Sequence, residues 1–469
     1  MKQVLNRLLE PLALLSSNWI GALGVILTTT GGILWLFLLP TMVRGETANP
    51  YTGILTFLIL PGVFFAGLAL IPIGWWFARR SGAVRRPDAL RHFFIFLGVT
   101  TGANLLIGSQ FTYRAVHHME SVQFCGQTCH TVMEPEFVAH QNSPHSRVSC
   151  TACHIGEGAG WFVKSKLSGV RQVFAVVLNT YSKPIPTPVH NLRPARETCE
   201  QCHWPQKYGA DRLRRIANFA DDEANTRSDT VLLMHIGGGD GSSHGPGIHS
   251  AHLGDGAVIH YRTGDEKRLS IPYVEVEKKD GKEVFLASSA KLEAAEKLPM
   301  RTMDCIDCHT RPSHTFELPE RAVNTAMDRG AVAPTLPFVK KQAVELLKAS
   351  YPNPAEAERQ ITDRLKAFYK EKYPAIASSR QAEIAQAAQA LTGIWKRNVF
   401  PAMNVTWGAY PNQIGHTDFP GCFRCHDGDH ASKAGNTIQQ DCNACHQLLA
   451  MEEVKPKILS ELGLDEGGK

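Results

Sequence analysis

Twelve cysteines are present, and all of them fall in six short clusters that each end in a histidine. Five clusters read Cys-x-x-Cys-His: Cys150/Cys153/His154, Cys199/Cys202/His203, Cys305/Cys308/His309, Cys422/Cys425/His426 and Cys442/Cys445/His446. The sixth, Cys125-Gly-Gln-Thr-Cys129-His130, is one residue longer. This is the attachment signature of c-type haem. Positions i and i+3 share one side of a helical turn, so two thiols there reach one porphyrin edge as thioethers. The residue that follows offers imidazole to the iron. Zinc also takes Cys and His ligands, and an isolated Cys-x-x-Cys serves elsewhere as a redox dithiol. Neither chemistry calls for a histidine in the same place six times with no thiol left over. The expected cofactors are therefore six covalently bound haem c groups, with His130, His154, His203, His309, His426 and His446 as the motif ligands.

A low-spin c haem takes a second axial ligand, His or Met. Of the 20 histidines, those outside the motifs outnumber this demand, so some are bystanders. His145, His190, His314, His416 and His430 lead, because each lies close in sequence to an attachment motif. His140 and His249 come next, and His235, His244, His252 and His260 follow, since a hairpin region has its own uses for them. At the longer first site, a continuous helix puts Cys125, Cys129 and Met133 on one face and turns His130 about 100° away from Cys129. Met133 is then either the axial ligand or, if His130 reaches the iron, a neighbour of the haem. Methionine ligation raises the potential of that haem above bis-histidine ones.

The elements that position these groups divide the chain of 469 residues unevenly. Long apolar runs crowd into the first 111 residues, with spans expected at about 19–39, 53–76 and 92–111. Arg79, Arg80, Arg85, Arg86 and Arg91 link the second and third, which places the N-terminus and that loop in the cytoplasm. Three crossings leave everything later on the outer, oxidising side, where haem c is assembled. The first run is too long for a cleaved signal peptide and lacks a small-residue cleavage site, so it reads as an anchor. A net charge of +5, with no interleaved basic and aromatic pattern, argues against nucleic acid as a partner.

Beyond the spans, residues 112–204 hold three haem sites with short spacers. Residues 205–300 contain no cysteine and read as an insertion, with hairpin signals at Thr263-Gly264-Asp265 and Lys279-Asp280-Gly281. Residues 301–451 hold the other three sites, separated by helical periodicity such as Val339, Ala343, Leu346, Leu347 and Ile361, Leu365, Phe368, Tyr369. Residues 452–469 read as a charged tail. The expected class is mainly α with little regular secondary structure: a three-helix transmembrane anchor, then a periplasmic multihaem domain with a small β-hairpin insertion.

The run Cys125-Gly-Gln-Thr-Cys-His-Thr-Val-Met-Glu-Pro135 resembles the first haem motif of the NapC/NirT family of membrane-anchored multihaem cytochromes, where methionine closely follows the motif. His145-Ser-Arg-Val-Ser-Cys150-Thr-Ala-Cys153-His154 resembles its second motif, in which the histidine five residues before the cysteine ligates a different haem. The likeness covers roughly residues 113–204 and is looser from Cys305 onward. It implies a quinol dehydrogenase that passes electrons from menaquinol or ubiquinol to a periplasmic cytochrome or reductase. Lys166 sits where one branch uses lysine as a haem ligand, although Lys164 and Arg171 on the same stretch also suit a side facing lipid headgroups.

A quinol site needs proton acceptors near a haem edge, and the leading residues are His118, Glu134, Glu136 and Lys166, with His117, Glu120 and Lys164 nearby. Expected partners are lipid, quinol, a periplasmic acceptor and, in one reading, other membrane subunits. The competing reading is a multihaem terminal reductase of nitrogen or sulphur oxyanions. That chemistry needs an iron with an open coordination position.

Overall fold

Apolar runs and haem motifs occupy different parts of the chain, and the fold follows the same division, with a break between Met119 and Glu120. The computed structural model describes residues 18–43, 59–81, 89–128, 130–156, 159–189, 193–204, 211–237, 247–254 and 257–464. The first unit contains α1 (Trp19–Val43), α2 (Leu60–Arg80) and α3 (Ala89–Met119). Helices α1 and α2 meet through glycines. A Cβ on Gly74 would lie 2.3 Å from the Gly21 nitrogen, and one on Gly67 would lie 2.6 Å from the Thr28 nitrogen. Small residues let two backbones approach this closely, which supplies packing where lipid removes the hydrophobic drive between helices.

Among the described residues, α2 alone is long and apolar enough to cross a bilayer by length and composition. Trp19–Leu34 and Phe94–Gln110 are shorter apolar stretches, so length and composition support one crossing where the sequence reading expects three. Polar Thr100, Thr101 and Asn104 interrupt α3, and the side chains of residues 35–43 lie outside the described set.

The second unit opens with the short helices of the first three motifs. These are α4 (Val122–Gln127), α5 (His130–Gln141), α6 (Cys150–His154), α7 (Ala159–Val177) and α8 (Ala195–Cys199). Val132 of α5 is buried against Phe400, Met403, Val405 and Tyr410, with Val176 of α7 packed alongside, so a C-terminal loop braces the first haem region.

The insertion is larger than a hairpin. Strands β1 (Arg212–Phe219) and β2 (Arg227–Met234) pair with each other; the short helix α9 (Ile248–Leu253) follows, then β3 (Ala257–Arg262), β4 (Tyr273–Lys278), β5 (Gly281–Ala287) and β6 (Met300–Thr302). The expected Lys279-Asp280 turn is present, joining β4 to β5 with Lys278 paired to Gly281. Gly281 takes φ +138°, where a side chain is strained. Strands from the far C-terminal segment, β7 (His430–Ser432) and β8 (His446–Glu453), complete both sheets. Their orders are β1-β2-β8 and β6-β3-β4-β5-β7. The β1–β2 pair escapes pattern reading because β1 is rich in arginine. Its charge is balanced by buried Asp229, which accepts from Arg215 Nε at 2.8 Å and lies 3.3 Å from Arg227 Nε.

Between the fourth and fifth motifs lies a haem-free helical module. It follows α10 (Cys305–Cys308) and contains α11 (Pro319–Asp328), α12 (Val339–Lys348), α13 (Pro354–Lys372), α14 (Pro374–Ser379) and α15 (Gln381–Asn398). Prolines open α11, α13 and α14, as suits a first helical turn, and Asn353 caps α13 by accepting from Glu356 N at 2.9 Å. The periodic residues Val339, Ala343, Leu346, Leu347, Ile361, Leu365 and Tyr369 form its core with Trp395, and Phe368 packs against it. The last motif forms α16 (Cys442–Cys445). The tail is partly ordered too: Leu459 is buried with Val231 and Ala450. About half of the chain is helical, and two sheets add to that, so the expectation of little regular secondary structure is replaced by an ordered scaffold.

Candidate metal centres

Each described motif folds into one α-turn. His154 ends α6, and the backbone N–H of His203, His309, His426 and His446 each donates to the carbonyl of the first cysteine in its motif. The turns are capped from the sequence itself. Ser149 accepts from Ala152 N at 3.2 Å, Asp304 from Cys305 N at 2.7 Å and Asp441 from Asn443 N at 3.0 Å. This geometry puts both thiols and the imidazole of a motif around one turn, as two thioethers and one iron ligand require.

Opposite these imidazoles stand histidines from distant segments. Ring centroids are 6.2 Å apart for His154 and His314, 5.9 Å for His203 and His145, and 6.4 Å for His309 and His249. The distance is 5.8 Å for His426 and His252 and 6.3 Å for His446 and His416. Two imidazoles on opposite sides of one metal ion would put their ring centres about 6.2 Å apart, with about 2 Å per metal–nitrogen bond and about 1.1 Å from nitrogen to ring centre. All five pairs lie within a few tenths of an ångström of that value, so the residues present fit a covalently held haem at each of these motifs.

The rings are also oriented. Nδ1 of His252 donates to the Ile248 carbonyl at 2.7 Å, Nδ1 of His314 to the Glu136 carbonyl at 2.9 Å and Nδ1 of His426 to the Gln439 carbonyl at 2.8 Å. A carbonyl accepts only, so the proton sits on Nδ1 and the Nε2 lone pair is left for a metal. Burial pushes the imidazoles of His249, His252 and His314 below their ordinary value, which favours the neutral form.

Of the five leading distal candidates, His145, His314 and His416 face motif histidines, while His190 lies outside the described residues. His430 is the correction. It is buried, its Nδ1 lies 2.9 Å from Asp427 Oδ1 and its Nε2 2.7 Å from the Ile271 carbonyl, so neither nitrogen is open to iron. Closeness to a motif in sequence brought it forward; the β7 edge instead uses it as a buried strut. His140 is likewise committed at both nitrogens, to the Val148 carbonyl at 3.0 Å and Gln141 Nε2 at 3.3 Å. His249 and His252, which rank behind these on sequence, also face motif histidines. Their i, i+3 spacing on one turn was the available signal.

At the first site, Cys129 and the side chain of His130 lie outside the described residues. Met133 is half-buried on α5, and Gly126 lies against Phe137, whose ring a Cβ at that position would meet at 2.1 Å. The proton-acceptor candidates belong to different elements. His118 belongs to α3 in the first unit, Glu134 is exposed on α5, and the Lys166 side chain is outside the described set. Glu136 is instead engaged: Arg311 Nη2 donates to its carboxylate at 2.6 Å while its backbone carbonyl holds His314. Arg311 in turn lies 4.0 Å over the Tyr410 ring, and burial with the nearby Glu136 charge pushes the Tyr410 hydroxyl up to about 12.

The motifs adjoin one another in sequence order. Cys150 lies beside Cys125, Cys153 near Cys199 and Cys202, and Cys199 beside Cys305. Cys308 lies near Cys422 and Cys425, and Cys445 lies near Cys422. Polar ties reinforce the order: Ala195 N donates to Asp304 Oδ2 at 2.7 Å, and Arg424 Nη2 donates to the Asp307 carbonyl at 2.6 Å.

Residues 88–187 match the family model for the NapC/NirT cytochrome c family, N-terminal region. The chain is 41% identical over 452 residues to cytochrome c-type protein ImcH of Geobacter sulfurreducens, covering 93% of this chain and 88% of that protein. It is also 24% identical over 211 residues to cytochrome c-type protein TorY of Haemophilus influenzae, covering 38% of this chain and 56% of that one. No solved structure matches the chain.

Proposed function

This chain belongs to the NapC/NirT family of membrane-anchored, multihaem c-type cytochromes, and from that premise we propose that it takes electrons from membrane quinol and delivers them to a periplasmic acceptor. Covalently held haem c supplies one-electron chemistry when bound. The twelve cysteines hold six such groups, with His130, His154, His203, His309, His426 and His446 as the motif ligands. His314, His145 and His416 would supply the second histidine that holds the group at the motifs of His154, His203 and His446.

The observation that carries this reading is the facing of imidazoles at five motifs. Where two rings stand at the spacing of a two-sided metal, neither side is left for an oxyanion substrate, which favours electron carriage over terminal reduction. The neighbouring of successive motifs supports a single path from first to last.

Quinol oxidation releases protons as well as electrons. His118, Glu134 and Lys166 accept them in this reading, whereas Glu136 acts by positioning His314. Helix α7 suits a bilayer surface: Leu167, Val170, Phe174 and Val177 are exposed, Lys164 and Arg171 are its described basic residues, and its sequence contains no acid. In this reading the chain crosses three times, so that the N-terminus and the basic end of α2, Arg79 and Arg80, lie in the cytoplasm and the haem unit in the periplasm, at the bacterial inner membrane.

Stopped-flow absorbance of the oxidised protein in detergent, mixed with a menaquinol analogue, tests this. Rapid haem reduction without a partner protein is the expected result. No reduction by quinol, together with turnover of nitrite, hydroxylamine or tetrathionate, would overturn it.

A further inference from the structure

We propose that α9, a single helical turn inside the insertion, supplies the distal iron ligands of two different haems: His249 at the motif of His309, and His252 at the motif of His426. The inference rests on the hexahaem reading above and extends it to residues outside the matched family region. The two histidines are spaced i, i+3, so they leave the helix on the same side, about 4.5 Å apart along its axis. Each faces a different motif imidazole, at centroid separations of 6.4 and 5.8 Å. His252 is aimed by its Nδ1 bond to the Ile248 carbonyl at 2.7 Å.

The turn is held in place by the end of β2. Ile248 N donates to the His235 carbonyl at 3.0 Å and His249 N to the Ile236 carbonyl at 2.8 Å. Gly237, at φ +54°, and Gly247 press together so closely that a Cβ on Gly247 would lie 2.5 Å from the Gly237 Cα. The same strand end receives the sixth motif, since His235 N donates to the Cys445 carbonyl at 2.9 Å. One backbone junction therefore carries two distal ligands and abuts a third centre. A rigid turn that ligates two irons couples them: displacing one imidazole tilts the helix that presents the other.

The test uses the full-length, haem-loaded protein with His249→Gly, His252→Gly and the double variant, and His260→Gln as a control. Haem content per chain is measured first, and electron paramagnetic resonance of the oxidised protein then counts low-spin and high-spin iron. Each single variant is expected to convert about one haem in six from low spin to high spin, and the double variant about two. Added imidazole should restore the low-spin form, and His260→Gln should change nothing. His249→Gly should also shift the midpoint potential of the centre that His252 serves. An unchanged low-spin count in variants carrying six haems overturns the assignment. Fewer than six haems on the unaltered chain overturns the hexahaem reading instead. A variant that fails to load haem is replaced by His249→Met or His252→Met; these retain an axial donor and should remain low spin with a raised potential, and an unshifted potential counts against the assignment.

Discussion

Asp307 lies between the two cysteines of the fourth motif and is 2% exposed, yet it is ionisable. Its Oδ1 accepts from Tyr261 Oη at 2.7 Å, Arg268 Nη1 at 2.8 Å and Arg301 Nε at 2.8 Å. Its Oδ2 accepts from Asp304 N at 2.7 Å. Replacing it by Asn keeps the shape and removes the charge. In one amide orientation Nδ2 meets the Asp304 N–H, and in the other it meets the two guanidinium groups and the tyrosine hydroxyl, so a donor faces a donor either way. An unsatisfied buried donor costs about 1–3 kcal/mol, and each lost charge-assisted bond about 1.5–3. The arginine side chains are 15% and 30% exposed, so water recovers part of this and the sum is discounted. A cost of about 3–4 kcal/mol remains, in line with breaking one partner of a buried pair. At about 2–4 °C per kcal/mol, that is a fall of about 10 °C in Tm. Far-UV circular dichroism and haem absorbance melts of D307N beside the unaltered protein measure it. Removing a negative charge beside a centre also disfavours its oxidised form, so one midpoint potential should rise. A Tm within about 3 °C of the unaltered protein, with no potential shifted, would refute the reasoning.

Lys340 is 4% exposed, and burial pushes its ammonium down to about 8 from 10.5. Between those values the unfolded chain binds more protons than the folded one, so stability should rise by about 3 kcal/mol as pH climbs through that window. Chemical denaturation across pH 8–10 should show this slope, and K340M should abolish it. Leu365→Ala opens a cavity in the helical module and should cost about 2–5 kcal/mol, read by denaturant melts, while the haem spectrum at room temperature stays unchanged. Met133→Ala should lower the potential of one haem alone, and an unchanged redox titration removes Met133 as a ligand.

The depth to which this chain is legible without coordinates varies by element. Helical periodicity identified the core faces of α12 and α13, because amphipathic spacing is a local property of each helix. It missed β1, where Arg212, Arg214 and Arg215 hide a strand whose charge is balanced by Asp229 from the neighbouring strand. It also could not show that His430–Ser432 and His446–Glu453 complete sheets begun two hundred residues earlier, since strand pairing leaves no local mark. Glu136 illustrates the same limit at the candidate site. Its type and position suit a proton acceptor, while its ion pair with Arg311, far along the chain, has no local mark in the sequence.

Haem attachment was decided by the amino-acid order alone, because two thiols and an imidazole within one helical turn need nothing from the rest of the molecule. Which imidazole stands opposite each of the five motif histidines after His130 was decided by the tertiary structure. His314 stands beside His154 because the Glu136 carbonyl holds it there, and His249 and His252 stand beside His309 and His426 because the end of β2 and the Gly237–Gly247 contact fix α9. A covalent signature is local, while a coordination partner is chosen by whichever imidazole the packed backbone leaves opposite the first.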